Sequence, residues 1–294
     1  MKKKHIFRGA ATALVTPFKD GEVNYIELKR LIEYQIAGGI SAIAVCATTG
    51  EAPTLDDKEH QEIRSFSASV INKRVPLIAG TGSNNIEHAV SMSKEAQKNG
   101  ADALLAVTPY YNRATEKGLI YGYMKIAEST DLPVIIYNVP QRTTVNVSAK
   151  VYKALAEHPN ITAVKEASGD VSQIASLIAE CGDSLDVFSG NDDMIVPLLS
   201  LGGCGVISVL SNMLPSAVTR ICSEWFSGRW QEACALQLKY MPLIRALFSQ
   251  VNPIPIKTAL GELGFDTLEM RLPMCEMDEA PKRELLMQMK RLGL

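Results

Sequence analysis

The chain has 294 residues, 47% of them apolar and 21% charged, which is enough length for a substantial core and sets disordered and fibrous classes aside. Lys and Arg number 30 against 32 Asp and Glu, a formal net charge of −2, so the basic excess of a general nucleic-acid binder is missing. The six cysteines form no CxxC pair and follow no secretory signal, which argues against a disulfide framework and for a reducing cytoplasm.

The N-terminal MKKKHIFRGAATALVTPF starts basic, but Arg8 interrupts its apolar part and no cleavage-type site follows, so it reads as mature protein. No apolar run approaches the roughly 20 residues that span a bilayer. Short apolar runs bounded by turn signals then recur along the chain: AATALVTPF, SAIAVCATTG, VPLIAGTG, ALLAVTPYY, PVIIYNVP, ITAVKEAS, LDVFSG and GVISVLSN. Between them lie stretches with helical spacing, such as YIELKRLIEYQIAGG and IEHAVSMSKEAQKNG, several of which close on a glycine.

Strand then helix, repeated eight times, is the signature of a parallel sheet, and runs that are apolar throughout suit strands covered on both faces. The first strand is not followed by GxGxxG, which favours an α/β fold of the (β/α)8 TIM-barrel type over an open doubly wound sheet. The barrel is expected over residues 1–229. Residues 230–294 read as helices broken at NPIPIK and at RLPMCEMDEAP, a small C-terminal helical domain that packs on the barrel because no flexible linker precedes it.

In such a barrel the C-terminal ends of the strands face the active site. Those ends carry Thr48, Thr49, Gly50 and Glu51; Thr81; Tyr110 and Tyr111; Tyr137, Asn138 and Arg142; Lys165 and Glu166; Gly190, Asn191 and Asp192; and Ser208 to Asn212. The set is rich in hydroxyls and has one lysine. A strand-end lysine can simply lay its stem on the wall and send its head to water. The chemical alternative asks for a desolvated amine whose neutral fraction attacks a carbonyl to give an imine, and a barrel interior supplies the desolvation.

Imine formation needs protons moved to and from a carbinolamine, and Tyr137, on the strand next to that of Lys165, is placed to relay them. A Thr-Thr-Gly turn at Thr48 and Thr49 offers N–H groups and hydroxyls to a carboxylate, and Arg142 in VPQRTT can grip a second one bidentately. None of the four histidines falls at a strand end, which weakens a metal or histidine-base mechanism. A Gly-rich phosphate turn after the last two strands is also absent, so sugar phosphates lose ground. Asp192 and Asp193 in GNDD read as a helix N-cap rather than a cation site.

TTGE at Thr48 to Glu51, TPYYN at Thr108 to Asn112, YNVPxRT at Tyr137 to Thr143 and VKEASG at Val164 to Gly169 together resemble the class I pyruvate-dependent aldolases of the N-acetylneuraminate lyase superfamily. SGND, GGxGVISV, NPIPIK and RLP extend the likeness over essentially the whole chain. The nearest branch joins pyruvate to aspartate semialdehyde. The alternative is a sialic acid or 2-keto-3-deoxy sugar acid aldolase, against which Arg142 counts.

The resemblance implies that Lys165 forms the Schiff base and that Tyr137, Thr48 and Tyr111 form the proton relay, with Tyr111 reaching in from a neighbouring subunit. Thr49 joins Thr48 in holding the pyruvate carboxylate, Gly190 and Ile207 line the site, and Arg142 receives the carboxylate of aspartate semialdehyde. It implies no metal and no cofactor beyond the covalent Schiff base. The partners it implies are the two substrates and further copies of the chain, as a dimer or a dimer of dimers.

Two departures stand out: Ala47 and Thr144 occupy positions where the family usually has glycine. Thr144 would be strained if its φ is positive. His60, Asn84 and Tyr110 match an allosteric lysine pocket of the family, whereas Ala52, Pro53, Asp57 and His88 differ from it, so weak or absent feedback by lysine is expected.

Overall fold

The computed structural model describes residues 5–294, so the basic start that reads as mature protein lies partly outside the described residues. Eight parallel strands close on themselves: β1 (Gly9–Ala13), β2 (Ala42–Val45), β3 (Leu77–Gly80), β4 (Ala103–Val107), β5 (Val134–Asn138), β6 (Ile161–Glu166), β7 (Asp186–Ser189) and β8 (Gly205–Ser208). Each pairs with its neighbours in sequence, and β1 closes the ring against β8 with Ala11 opposite Ile207.

Helices follow in turn: α1 (Tyr25–Ala37), α2 (Asp57–Ile71), α3 (Ile86–Lys98), α4 (Glu116–Glu128), α5 (Ala149–Leu155), α6 (Val171–Cys181), α7 (Ile195–Ser200) and α8 (Pro215–Phe226). Their starts are written in the sequence. Asn24 Oδ1 accepts from Glu27 N, Asp56 and Glu59 form a reciprocal capping box, and the Asp170 carboxylate accepts from Ser172 N and Gln173 N. Each such cap satisfies N–H groups that the helix leaves open and stabilises it by about 1 kcal/mol. No helix among the described residues is long and apolar enough to cross a membrane.

Strand alternation sorts the side chains into layers. Ala11, Ala13, Ala42, Ala44, Ala103, Leu105, Ile135, Ala163, Phe188 and Ile207 form a cluster of their own, the barrel interior, whereas Leu104, Val134, Ile136, Val164 and Val187 pack outward with residues of α4, α5 and α6. Many of the inward residues are alanines. A narrow interior lined by small side chains leaves room for a few large ones, and Tyr137 joins the interior cluster at the end of β5.

The chain also contains a short hairpin, Phe18–Lys19 against Glu22–Val23, of which only Phe18 falls within the first strand run expected from the sequence. Strand β1 ends at Ala13, and the hairpin turns back at Gly21, whose φ is +83°. Three helices complete the fold: α9 (Trp230–Leu247), α10 (Ile254–Glu262) and α11 (Glu279–Arg291). NPIPIK is therefore a break only up to Pro253, because Ile254, Pro255 and Ile256 already belong to α10. A proline is tolerated in a first helical turn, where its missing N–H would have no partner anyway. Leu243, Leu247, Ile256, Leu260, Leu285 and Met289 from these helices share one core cluster with Leu28, Leu31, Ile32 and Ile63 of α1 and α2.

Candidate active site

Parity within β6 decides which charged residue looks inward. Ala163 and Ala167 belong to the interior cluster, so Lys165 between them points inward, and Glu166 faces the helices. There Glu166 accepts from Asn138 Nδ2 at 3.0 Å, Ser168 N at 2.7 Å, Tyr152 Oη at 3.2 Å and Gln173 Nε2 at 3.3 Å. A carboxylate with that many donors is a structural clasp. It is satisfied without the cavity.

Lys165 is the opposite case. It is 3% exposed, its Nζ lies 4.3 Å from the centre of the Tyr137 ring, and no hydrogen bond or ion pair holds that nitrogen among the described residues. Tyr137 and Lys165 are register partners across β5 and β6, so the sheet itself sets the pair side by side. Gly190 makes room for it: a Cβ there would fall 3.1 Å from Lys165 Cε and 2.6 Å from Ala167 Cβ. The carboxyl of Asp192 feels the Lys165 charge, though burial dominates and pushes it above the usual carboxylate range.

Asp192 corrects a sequence expectation. It caps no helix: its Oδ2 accepts from Val209 N at 3.0 Å and Leu210 N at 2.8 Å, tying the turn after β7 to the turn after β8. Ser208, the last residue of β8, accepts from Ser211 N at 2.9 Å, and the buried carboxylate from the neighbouring turn satisfies the two N–H groups between them.

Thr48, Tyr137 and Arg142 line a cavity of about 410 Å³ at the strand ends, together with Ala47, Thr143 and Tyr110. Thr48 to Gly50 form a single 3-10 turn, bracketed by Cys46 at φ 54° and Glu51 at φ 53°. Two left-handed non-glycine residues around one turn store strain of about 1–3 kcal/mol each, which persists only where the surroundings fix it. Ala47 itself has φ −104°, ordinary extended backbone, so its methyl adds no strain to the turn. Thr144, with φ 57°, does adopt the left-handed conformation that its glycine-like position suggested.

The cavity continues away from Tyr137 to His60, Asp57 and His88. The imidazole of His60 sits between Ala52 O, 3.1 Å from Nε2, and Arg64 Nη2, 3.3 Å from Nδ1. Guanidinium only donates, so Nδ1 is the acceptor and Nε2 carries the proton, a neutral ring. Burial first, and then the Arg64 charge, hold its pKa down at about 4. His88 Nε2 lies 3.0 Å from Asp57 Oδ1. Asn84 adjoins Ser83 of the cavity wall, its carbonyl accepting from Asn112 Nδ2.

Tyr111 is not brought to this cavity. It is 92% exposed with φ 67°, displayed outward beside the half-buried Tyr110. Ile207 is buried on β8 and Gly190 follows β7, on the Lys165 side of the barrel. Sequence reasoning missed Asn252 and Lys257, both from the C-terminal segment. Asn252 Nδ2 donates to Thr49 Oγ1 at 3.0 Å, and Lys257 Nζ donates to Glu51 Oε1 at 2.7 Å. The only trace of them in the sequence is a polar residue on either side of the apolar PIPI stretch.

The profile of the Dihydrodipicolinate synthetase family matches residues 6–292. The chain is 50% identical to 4-hydroxy-tetrahydrodipicolinate synthase of Lachnoclostridium phytofermentans, covering 98% of this chain and 99% of that one. It is 48% identical to 4-hydroxy-tetrahydrodipicolinate synthase 1 of Clostridium acetobutylicum with the same coverage. A crystal structure of a dihydrodipicolinate synthase superposes with a TM-score of 0.96 at 44% identity, covering 98% of this chain and 99% of the other.

Proposed function

The chain belongs to the dihydrodipicolinate synthetase family, and from that membership we propose that its barrel mouth condenses pyruvate with L-aspartate 4-semialdehyde to 4-hydroxy-tetrahydrodipicolinate through a Schiff base on Lys165. The observation that carries the residue assignment is the buried Lys165 amine, unpaired among the described residues and set over the ring of Tyr137, a phenol on the next strand that can relay protons.

The pyruvate carboxylate docks on the turn of Thr48 and Thr49, where N–H groups and a hydroxyl converge. Lys165 Nζ attacks the keto carbon, and the carbinolamine loses water as Tyr137 and Thr48 move the protons. Tyr111 of a second copy completes this relay, which makes a dimer the smallest active unit, and pairs of dimers fit the same reading. The exposure of Tyr111 supports that role, since a phenol turned away from its own cavity is free to enter another.

The iminium is a far better electron sink than the ketone, so a methyl proton leaves to give an enamine. The enamine carbon attacks the aldehyde while Arg142 grips the semialdehyde carboxylate. The semialdehyde's amine then adds to the iminium carbon and expels Lys165, which closes the ring and frees the enzyme. No step calls on a metal or a further cofactor. The unpaired cysteines fit a reducing, cytoplasmic setting for this biosynthetic step.

Borohydride reduction in the presence of pyruvate, followed by mass mapping, tests the assignment. The expected result is one reduced adduct, on Lys165, and no adduct or turnover in Lys165→Ala. Labelling elsewhere, or turnover without that amine, would overturn it.

A further inference from the structure

Asn252 touches both of the groups assigned above to carboxylate binding. Its side-chain Nδ2 donates to Thr49 Oγ1 at 3.0 Å, and its backbone carbonyl accepts from Arg142 Nη2 at 3.0 Å. The two partners belong to different loops, one after β2 and the other after β5. The residue is 8% exposed, and its Oδ1 is buried without a hydrogen-bond partner among the described residues.

An orphaned buried acceptor costs about 1–3 kcal/mol, so Asn252 is a poor choice for a position that serves stability alone. An apolar residue before Pro253 would fill the same space without that cost. What an apolar residue cannot do is donate to Thr49. By donating, the amide takes a lone pair of the Thr49 hydroxyl and leaves its proton without an acceptor among the described residues.

The neighbouring contacts make Asn252 the first of a series. Lys257, five residues on, holds Glu51, and Arg271 N donates to Glu51 Oε2 at 3.2 Å. The C-terminal segment thus fastens the Thr48–Glu51 turn at two residues and the Arg142 loop at one.

We propose that Asn252 is a positioning residue for both substrates, fixing the Thr49 turn for one carboxylate and the Arg142 guanidinium for the other. The proposal rests on the carboxylate roles given to Thr49 and Arg142. It places part of the specificity for a pair of carboxylate-bearing substrates in the C-terminal helical segment, outside the barrel.

Steady-state kinetics of Asn252→Ala in the full-length enzyme, with borohydride trapping as a count of competent sites, tests it. Asn252→Ala removes the donor to Thr49 and keeps the backbone carbonyl that holds Arg142, so KM for pyruvate rises about five- to tenfold while KM for the semialdehyde rises less than about twofold. The same loss predicts that kcat falls less than about twofold and that the trapped fraction at saturating pyruvate matches wild type. Asn252→Asp, which puts a negative charge between the two grips, raises both KM values further. In a Thr49→Val background the effect of Asn252→Ala on pyruvate disappears, and in an Arg142→Ala background the effect of Asn252→Asp on the semialdehyde disappears.

Unchanged KM values would overturn the proposal, as would full additivity in both backgrounds. So would a loss of rate that follows the trapped fraction alone, the mark of a merely structural residue. Failure of wild type to trap pyruvate on Lys165 is a separate readout, and it would remove the functional reading instead.

Discussion

Lys257 Nζ lies 2.7 Å from Glu51 Oε1, and both side chains are closed off from water, at 0% and 1% exposure. The same ammonium donates to Thr16 O at 2.9 Å and to Glu269 O at 2.6 Å, so all three of its protons are used. Burial pulls the Lys257 pKa down, and the Glu51 charge opposes that pull. A pair satisfied this fully is neutral to mildly favourable as a whole, but removing one partner strands a charge in the interior.

Lys257→Met should therefore lose about 3–5 kcal/mol of stability in chemical denaturation. Adding Glu51→Gln removes the stranded charge and should restore at least half of the loss. A double variant as unstable as the single one would show that the ammonium's carbonyl contacts, not its pairing with Glu51, hold the segment.

At Gly190 the crowding is steric rather than electrostatic. An alanine methyl would meet Ala167 Cβ at 2.6 Å and Lys165 Cε at 3.1 Å, and overpacking of that kind costs about 1–3 kcal/mol. If the amine yields first, Gly190→Ala slows single-turnover trapping of pyruvate by roughly ten- to hundredfold. A companion Ala167→Gly relieves the closer clash but not the one with Lys165, so it should recover stability more than trapping rate. Full recovery of the rate would place the obstruction at Ala167 alone.

Lys165, Tyr137 and the Thr48 turn were legible because they stand at strand ends, and strand ends follow from short apolar runs whose period and boundaries are local. Asn252 and Lys257 were not. Their partners lie more than 200 positions away along the chain, and nothing in NPIPIK tells a break from a helix start that carries a buried amide. Asp192 was misassigned for the same reason. Its position before a helical stretch fits a cap, and only the approach of Val209 and Leu210 from the turn after β8 gives the carboxylate its actual donors. The hairpin at Phe18 escaped because strands of two residues carry no period.

His60 gives the fold a calculable acid sensitivity. Its ring takes up a proton only near pH 4 when folded, against about 6.5 in an unfolded chain. Between those values the unfolded state binds more protons, so stability falls as the pH is lowered from about 6.5 to about 4. The loss from this one ring amounts to about 3 kcal/mol over that window. Carboxylates such as Glu59, held low chiefly by Arg271, lose their contribution at lower pH still, below the ordinary carboxylate value. Comparison of wild type with His60→Gln isolates the histidine: above pH 7 the difference between them is constant, and it shifts in favour of the variant by about 3 kcal/mol at pH 4. Parallel curves from pH 7 to 4 would mean that the folded ring titrates normally.

The pocket around His60 also bears on regulation. A lysine ligand brings two ammonium groups, and Asp57 is the single carboxylate among the residues that line this cavity. Asp57 already has His88 Nε2 at 3.0 Å, and His60, neutral and donating to Ala52 O, offers no negative charge. Lysine should therefore inhibit weakly or not at all, and initial rates with submillimolar lysine should match those without it. His88→Glu replaces a ring that occupies Asp57 with a second acid, which frees Asp57 as well. A charge-assisted hydrogen bond contributes about 1.5–3 kcal/mol, so the variant should bind lysine at least about tenfold more tightly than wild type. Strong inhibition of wild type would show that the ammonium groups are held by backbone carbonyls or by a second subunit, since the side chains of this one have no free charge to give.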